Sequence, residues 1–315
     1  MVFMTSPLTL FQALADPTRL RILALLRAME LSIGEIAQVL GQSQPRVSRH
    51  VKILVSAGLA DRRKEGSWVF LTLGAPGIVA PALKAIDCWC PQGDGEQQAD
   101  LARLKAVRAV RATAAEDYFE THAANWDALR SLHVAERDVE AAIERLLAPE
   151  PIGRMVDIGT GTGRMMELLG RQAASAIGFD RSPAMLRLAR TKLAQPGSDH
   201  AELRQGDMYA LPLPDGAADF AIMHQVLHYA QHPAAAIAEA ARVLAPDGRL
   251  LIVDFAPHDR EDLRERDAHV RLGFTDQQMA DWFAAAGLAS APPIHLDGEL
   301  TVKLWLGRRM ATSAA

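Results

Sequence analysis

A glycine-rich loop near the middle of the chain constrains the fold more than any other segment. The apolar run Met155–Ile158 breaks into three glycines at alternate positions, Gly159, Gly161 and Gly163, and a helical pattern follows. Glycine at such a turn permits a positive φ and lets a ligand touch bare backbone. The order of strand, glycine loop and helix predicts an α/β unit that binds a nucleotide-like ligand at the start of the helix.

The spacing of these glycines argues against a dinucleotide. The fingerprint G-x-G-x-x-G needs a third glycine at position 164 or 166, where Arg164 and Met166 stand. Asp157, two residues before the first glycine, would repel a pyrophosphate at short range. It would not repel a ligand with a cationic amino group and a sulfonium. These features predict S-adenosylmethionine (SAM) as the cofactor.

Acidic residues also end the next two predicted strands. Asp180 ends the second and could accept hydrogen bonds from a ribose diol. Asp207 follows the third and could accept from the adenine amine, with the Met208 N–H facing the ring. The ends of parallel strands deliver such groups into one crevice. The cofactor-binding candidates in this part of the chain are Asp157, Gly159, Gly161, Gly163, Asp180, Arg181, Met185, Asp207 and Met208.

Two further segments complete a recognisable pattern. Leu211–Asp215 precedes the fourth predicted strand, and Arg242–Gly248 precedes the fifth. With the glycine loop and the acidic strand ends, the chain from about Tyr118 to about Arg309 resembles the class I SAM-dependent methyltransferases, in particular those that methylate small molecules. The resemblance implies an α/β fold with a Rossmann-like, doubly wound sheet of seven strands.

The resemblance also indicates where the reaction would occur. In this family the carboxyl end of the fourth strand faces the transferred methyl group. Polar residues stand there, and a neutral histidine could act as a base near pH 7. Hydrogen bonding of the histidines to backbone alone is the alternative. The catalytic candidates are His224, Gln225, His228 and Tyr229, and His269, Arg271 and Phe274 could line the acceptor pocket.

An aromatic segment before the glycine loop resembles the N-terminal lid of these enzymes. It runs from Tyr118 to Asp127 and contains Trp126. The Tyr118 and Trp126 rings could face the sulfonium, a cation–π interaction worth about 0.5–2 kcal/mol. Alternatively, these rings form the packing face of the lid helix. A helical linker and this lid are assigned to residues 92–150, after which the methyltransferase domain spans 151–315.

Several methyl acceptors are disfavoured. The N-P-P-Y signature of amino-group DNA methylation is absent after the fourth strand. Arsenite methylation needs cysteine thiolates, and no cysteine follows Cys90. A Mg²⁺ site of the catechol type needs convergent carboxylates, of which only Asp254 is evident. The predicted acceptor is therefore a small molecule of unidentified structure.

The first 91 residues form a predicted basic domain. They carry ten Lys and Arg against six Asp and Glu, whereas the rest of the chain carries 24 against 32. This asymmetry suggests a polyanionic partner. Helices around the turn at Gly41 predict a helix-turn-helix, and a hairpin follows. The predicted contacts to base edges and phosphates are Gln44, Arg46, Ser48, Arg49, His50, Lys52, Arg62, Arg63 and Lys64.

This basic domain resembles the ArsR-type winged helix-turn-helix repressors. The match rests on Ala13–Leu23, Ser43–Leu59 and Arg63–Phe70. It implies a homodimer that binds a palindromic operator in double-stranded DNA; a winged helix used for protein contact is the alternative. Members of the family often sense metal through cysteines at the second helix of the motif, but the matching stretch 30–35 has none. Cys88 and Cys90 could bind a thiophilic ion across a dimer, but two thiolates fall short of the four ligands of a zinc site, so they are interpreted as reduced thiols and no metal site is predicted.

Composition adds two expectations. No apolar run is long enough for a membrane span and no secretion signal is evident, so a cytoplasmic protein is expected. Three functions remain open. The chain is a DNA-binding regulator with an active SAM-dependent methyltransferase domain, a sensor in which SAM or S-adenosylhomocysteine controls operator binding without turnover, or a methyltransferase with a vestigial winged helix that has no preference for operator-like DNA.

Overall fold

The chain divides into two compact units, Met1–Thr113 and Ala114–Ala315. The computed structural model describes residues 6–65, 68–89, 96, 98–107, 135–194 and 201–310. The division falls later than the predicted boundary at residue 91, because a helical segment of residues 98–107 packs in the first unit, with Leu104 and Val107 in its core. The predicted lid residues, Tyr118 and Trp126, lie outside the described residues.

The first unit is a small helical domain with a three-stranded antiparallel sheet in the order β1-β3-β2. The helix-turn-helix and its wing are as predicted, except that β2 continues to Glu65, so Lys64 lies in the strand and not in the turn. The elements are α1 (Pro7–Leu14), α2 (Pro17–Ala28), β1 (Leu31–Ser32), α3 (Ile33–Leu40), α4 (Gln44–Ser56), β2 (Ala60–Glu65), β3 (Trp68–Leu73) and α5 (Pro76–Trp89).

Local sequence signals set the ends of the helices in this unit. Asp16 caps α2 by accepting the Arg19 N–H at 3.0 Å, and α3 begins with a capping box between Ser32 and Glu35. Gly41 ends α3 in the left-handed conformation, with φ +63°. These signals place α3 and α4 around a tight turn, and their apolar faces meet α2 in one core.

A buried carboxylate fastens the 98–107 helix to α2. Asp100 accepts hydrogen bonds from Arg21 Nε at 2.6 Å and from Arg103 Nη2 at 2.7 Å. Arg103 Nε also donates to the Val39 carbonyl near the end of α3. Burial alone would raise the pKa of the Asp100 carboxyl, but the hydrogen bonds and charges of Arg21 and Arg103 outweigh burial and lower it.

Replacing Asp100 with asparagine should therefore destabilise the first unit. We expect the free energy of unfolding to fall by about 1–3 kcal/mol, because an amide accepts weaker hydrogen bonds from Arg21 and Arg103 than the buried carboxylate does, although Arg21 keeps its ion pair with Glu96. Asp87→Asn is the matched control: Asp87 also pairs with an arginine of α2, Arg27, but both side chains are exposed. Denaturant unfolding followed by circular dichroism measures the two variants, and equal losses would contradict the expectation.

The second unit is an α/β fold built on one mixed sheet. Its elements are α6 (Glu136–Leu147), β4 (Arg154–Ile158), α7 (Arg164–Leu169), β5 (Ser175–Asp180), α8 (Pro183–Leu193), β6 (Ala201–Gln205), β7 (Ala218–His224), α9 (Pro233–Val243), β8 (Leu244–Phe255), α10 (Asp262–Arg266), α11 (Asp276–Ala285), β9 (Leu288–Ser290), β10 (Ile294–Leu296) and β11 (Val302–Arg309). Short 3₁₀ turns at Gly170–Gln172 and Leu227–Tyr229 follow α7 and β7.

The order of the strands explains where a ligand can bind. The sheet runs β6-β5-β4-β7-β8-β11-β10, with β9 paired to β11. Strands β4 to β8 are parallel, and β11 is antiparallel to β8. The chain winds from β4 outwards to β6 and then returns to β7 on the other side of β4. The crevice at the carboxyl ends of β4 and β7 is therefore the topological switch point, where doubly wound sheets bind ligands.

Three details of the second unit differ from prediction. The seven-stranded path is present, but β9 adds an eighth strand. The alternation of apolar and polar residues over 299–306 predicts a closing edge strand, but this strand, β11, lies inside the sheet because β10 and β9 cover its outer side. The dense charge over 260–271 predicts a surface helix, but the segment is helical only at Asp262–Arg266, and Arg271 is fully buried. In the part of the chain that the structure describes, no helix is long and apolar enough to cross a membrane.

Candidate functional site

The glycine loop lies at the switch point and is held by the neighbouring strand. The N–H groups of Gly159 and Thr160 donate to the Phe179 carbonyl of β5 at 2.8 and 2.9 Å. Gly159, Gly161 and Gly163 have φ values of +74°, +53° and +85°. A Cβ added at Gly159 would lie 2.3 Å from Val226 Cγ2, in the loop after β7. The glycines therefore allow the glycine loop to approach the predicted reaction site closely.

Two of the predicted acidic residues are part of the loop's own framework. Asp157 is buried, and its Oδ2 accepts the Thr160 hydroxyl at 2.6 Å. Asp180 accepts the Gly161 N–H at Oδ2 and the Ser182 N–H at Oδ1, both at 2.8 Å. A carboxylate offers about four acceptor sites, and the N–H groups of Ser182, Gly161 and Arg181 donate to this one, so Asp180 keeps capacity for a further hydrogen bond. The arrangement fits a ligand with two vicinal hydroxyls, as in the ribose of SAM.

Burial raises the pKa of the Asp180 carboxyl, and the N–H donors of Ser182 and Gly161 offset this only in part. The ionised form, which accepts from a ribose, is complete only above this raised pKa. We therefore expect the affinity for SAM, the predicted cofactor, to fall as the pH is lowered, beginning above the ordinary aspartate range. Titration calorimetry across pH measures this.

Two variants test the assignment to Asp180. Asp180→Asn should bind SAM weakly and with a flat profile over the same pH range. Asp281→Asn, on the exposed side of α11, should keep the wild-type profile. An Asp180→Asn variant that retained the wild-type pH dependence would show that another group titrates.

The other cofactor-binding candidates differ in how open they are. Asp207 is exposed, and its Oδ1 accepts the Tyr209 N–H at 3.0 Å. Met208 is half-buried against the core, and Arg181 is exposed. Met185 is buried beside Ala184 and Leu188 at the start of α8.

The predicted catalytic residues lie at the end of β7 and in the turn that follows. His224 is buried, and Gln225 has the left-handed φ of +50°, which is uncommon for a residue other than glycine. The Gln225 N–H donates to the Val253 carbonyl at 2.7 Å, which fixes the end of β7 against β8. A strained backbone held in this way is typical of functional sites.

His228 forms a buried pair with Asp254, the residue next to the end of β8. Its Nδ1 lies 2.8 Å from Asp254 Oδ1, and the exposures of the side chains are 3% and 0%. Asp254 Oδ2 accepts the backbone N–H of His228 at 3.1 Å, and Oδ1 accepts the Phe255 N–H at 2.8 Å. A carboxylate in this position orients the imidazole and places a proton on Nδ1.

Aromatic rings surround the imidazole of His228. The ring of His269 lies 4.2 Å from it, that of Tyr229 4.1 Å and that of Phe255 5.2 Å, between centroids. The His228 carbonyl accepts the N–H groups of Val270 and Arg271. The structure thus places His269 and Arg271 next to His228. Phe274 is a core residue instead.

Two residues at this site escaped the sequence analysis. Asp254 was considered only as a metal ligand, whereas it pairs with His228. The Tyr209 hydroxyl accepts the N–H groups of Gln231 and His232 at 2.8 and 3.2 Å, which ties the loop after Asp207 to the start of α9. Both contacts join residues more than twenty positions apart, so no local pattern indicates them.

The DNA-binding candidates lie on α4 and on the wing of the first unit. Arg46, Arg49 and Lys52 are exposed at a spacing of three residues, which places them on one face, while Val47 and Val51 are buried behind them. Gln44 is exposed at the helix start, Ser48 is half-buried, and Arg62 is exposed on β2. Arg63 and Lys64 lie in β2, and their side chains are outside the described part.

His50 is the exception among these candidates. Its Nδ1 lies 3.6 Å from Asp16 Oδ1, and its side chain is only 15% exposed. The side chain therefore faces the beginning of α2 and not the exposed face of α4. His50 follows Arg49 by one residue, which turns it about 100° around the helix axis from Arg49. Helical spacing alone does not distinguish this contact of His50 with Asp16 from a contact with DNA.

Comparison with known protein families agrees with this division of the chain. Residues 16–62 match the family model described as bacterial regulatory protein, arsR family. Residues 156–252 match the model described as methyltransferase domain. The first match covers the helix-turn-helix, and the second covers the sheet from β4 to β8.

Individual relatives show the same two halves. The arsenical resistance operon repressor of Escherichia coli (strain K12) is 46% identical over 82 residues, 26% of this chain and 69% of that protein. The demethylmenaquinone methyltransferase of Thermus thermophilus is 38% identical over 124 residues, 38% of this chain and 53% of that protein. The chain therefore spans about half the length of this second relative (53%).

Solved structures support the fold of the second unit. A chain in the complex of the Haloferax volcanii Trm112 methyltransferase activator with a protein described as a methyltransferase superposes with a TM-score of 0.51. The match has 22% sequence identity and covers 61% of this chain and 97% of that one. At this identity the likeness concerns the fold alone.

Proposed function

Because the chain belongs to the arsR family of bacterial regulatory proteins and carries a methyltransferase domain, we propose that it is a DNA-binding regulator whose second unit binds SAM and methylates a small molecule. The observation that carries the proposal is the site at the switch point of the sheet. There the glycine loop, Asp180 and the His228–Asp254 pair stand at the carboxyl ends of adjacent strands β5, β4, β7 and β8.

The residues present would each have a defined part in holding SAM. Gly159 and Gly161 offer backbone without side chains, Asp180 accepts from the ribose, and Asp207 accepts from the adenine amine. Asp157 supplies negative charge beneath the loop. SAM supplies an electrophilic methyl group and leaves as S-adenosylhomocysteine, with the C–S bonding pair retained by sulfur. Holding an acceptor in line with that group can supply much of the rate enhancement.

Binding selectivity tests this part of the proposal. We expect SAM and S-adenosylhomocysteine to bind the full chain in titration calorimetry, and NAD to show no heat. The physical reason is that the loop lacks the third glycine of the dinucleotide fingerprint and carries Asp157 where a pyrophosphate would lie. NAD binding as tightly as SAM would overturn the cofactor assignment.

The first unit is proposed to bind an operator as a homodimer. Two large apolar side chains on α1, Leu8 and Phe11, are 64% and 58% exposed one helical turn apart, which suits burial against a second copy. Sedimentation of the full chain should give twice the 34.2 kDa of one chain. Replacing both residues with aspartate should give single chains, and an unchanged mass would place the interface elsewhere.

A second candidate function is sensing without turnover. It is favoured by one feature of the first unit: positions 30–35 carry no cysteine, which argues against the family's usual thiolate site for a metal effector in this stretch. A coupling of about 1–3 kcal/mol between SAM and DNA would change operator affinity about 5–150-fold. A gel-shift titration with SAM and S-adenosylhomocysteine tests it, and equal operator affinity under all conditions would exclude it.

A further inference from the structure

The His228–Asp254 pair indicates what kind of acceptor the second unit methylates. We propose that His228 is a catalytic base, positioned by Asp254, and that the acceptor loses a proton from the atom that is methylated. Such acceptors are hydroxyl groups and acidic C–H groups, for example phenols and enols. The inference rests on the proposed methyltransferase function and adds the class of substrate to it.

The contacts of Asp254 determine which nitrogen of the His228 ring carries the proton. Asp254 is fully buried, and its two oxygens accept from the Phe255 N–H, the His228 N–H and the His228 ring. With the Nδ1 proton directed at Asp254, Nε2 is the nitrogen of the neutral ring that can accept a proton. Asp254 contacts both the backbone N–H and the ring of His228. These two contacts limit rotation of the imidazole, and a base must be oriented in this way to take a proton from one acceptor atom.

The turn that carries His228 lies next to the glycine loop. His228 stands two residues after Val226, whose methyl group packs against Gly159 of that loop. Its carbonyl is bound by the N–H groups of Val270 and Arg271, so the turn that carries it is held from the opposite side as well. The base is therefore fixed beside the loop that would hold the methyl donor.

Acceptors differ in how strongly they depend on a base. A carboxylate is ionised at neutral pH, a thiol is partly ionised because its pKa is about 8.5, and an uncharged amine attacks through its lone pair and can lose its proton after the transfer. A hydroxyl or an acidic C–H group becomes a good nucleophile only as its proton leaves, so these acceptors depend most on a base. As the acceptor atom bonds to the methyl carbon, its proton moves to His228 Nε2, and the imidazolium later releases it to solvent. The rings of Tyr229, Phe255 and His269 around the imidazole favour a flat, largely apolar acceptor.

The tautomer can be measured without any acceptor. In ¹⁵N NMR of the full chain, His228 should be protonated on Nδ1 at neutral pH, with Nε2 unprotonated. Asp254→Asn should shift the ring towards the Nε2-protonated form, since an amide can donate to Nδ1. A wild-type ring protonated on Nε2 alone would overturn the proposal, because such a ring cannot accept the proton there.

Chemical rescue tests the role as a base. With methyl-labelled SAM and the small-molecule fraction of a cell extract, His228→Ala should transfer label about 10²–10⁴-fold more slowly than wild type at unchanged SAM affinity. Added imidazole should restore part of the rate. His295→Ala, which removes an exposed histidine of β10, should keep the wild-type rate and not respond to imidazole. The labelled methyl should be on oxygen or carbon in the product.

The outcomes separate the two proposals. If His228→Ala transfers label at the wild-type rate, His228 is not the base. A product methylated on nitrogen, sulfur or a carboxylate also overturns that role. Both results leave the methyltransferase function in place. A wild-type chain that binds SAM but transfers no label overturns the proposed function, and the base with it. Loss of SAM binding in His228→Ala would show that the residue supports the cofactor site instead.

Discussion

Replacing Gly159 with alanine should abolish SAM binding, with a loss in affinity of at least about 100-fold. The residue has φ +74°, and an added Cβ would lie 2.3 Å from Val226 Cγ2 and 2.9 Å from Val226 Cβ. Both ends of this contact are held: the Gly159 N–H is bonded to β5, and β7 is fixed to β8 just before Val226. The loop must therefore move, and with it the backbone that meets the ligand. Titration calorimetry with SAM measures the effect.

The variant Gly287→Ala serves as a control that has the backbone strain of Gly159→Ala without its steric clash. Gly287 has the same φ of +74°, but an added Cβ there meets no atom within 4 Å in the described part of the chain. Both variants incur the strain of a left-handed alanine, about 1–3 kcal/mol. Only Gly159→Ala should lose SAM binding. If the two variants lost SAM affinity equally, the close contact with Val226 would not be what shapes the loop.

Replacing Arg46 or Arg49 with alanine should weaken operator binding about 10- to 100-fold. These exposed residues lie one turn apart on α4, the second helix of the helix-turn-helix, with Val47 buried behind them. A base contact from such a residue is worth about 1–3 kcal/mol, and a phosphate contact also changes the salt dependence. Gel shifts with the protein's own upstream DNA at several salt concentrations distinguish the two kinds of contact.

Lys84→Ala is the control for the loss of positive charge. Lys84 is exposed on α5, outside the helix-turn-helix and the wing. Its removal should change operator affinity by less than about twofold, because the charge is not on the proposed DNA-contacting face. Comparable losses for Lys84→Ala and Arg46→Ala would mean that the basic unit attracts DNA by net charge without using α4.

Local patterns predicted much of the fold. The apolar run before Gly159, the turn at Gly41 and the cap at Asp16 are short-range signals, and the structure has a strand, a helix-turn-helix and a helix start at these places. The strands β9 and β10 were not predicted because three residues are too few to show periodicity. Their absence from the prediction made β11 seem an edge strand.

The site was predicted less completely, for a physical reason. The residues at strand ends could be placed because parallel strands end at one edge of the sheet. The pairing of His228 with Asp254 depends on β7 and β8 being neighbours, and the two residues are 26 positions apart. Arg271 stands in a densely charged stretch whose composition predicts exposure, although the residue was also a candidate for the acceptor pocket. Its burial depends on hydrogen bonds to backbone elsewhere, including the Gln231 carbonyl at 2.8 Å.

The most direct measurement of the central claim is transfer of label by the full chain. Purified protein is incubated with methyl-labelled SAM and the small-molecule fraction of a cell extract, and the products are separated by mass spectrometry. We expect one labelled small molecule and a matching amount of S-adenosylhomocysteine, both absent with Gly159→Ala. Tight SAM binding without any labelled product, together with a SAM-dependent change in operator affinity, would contradict the methyltransferase function and identify a sensor.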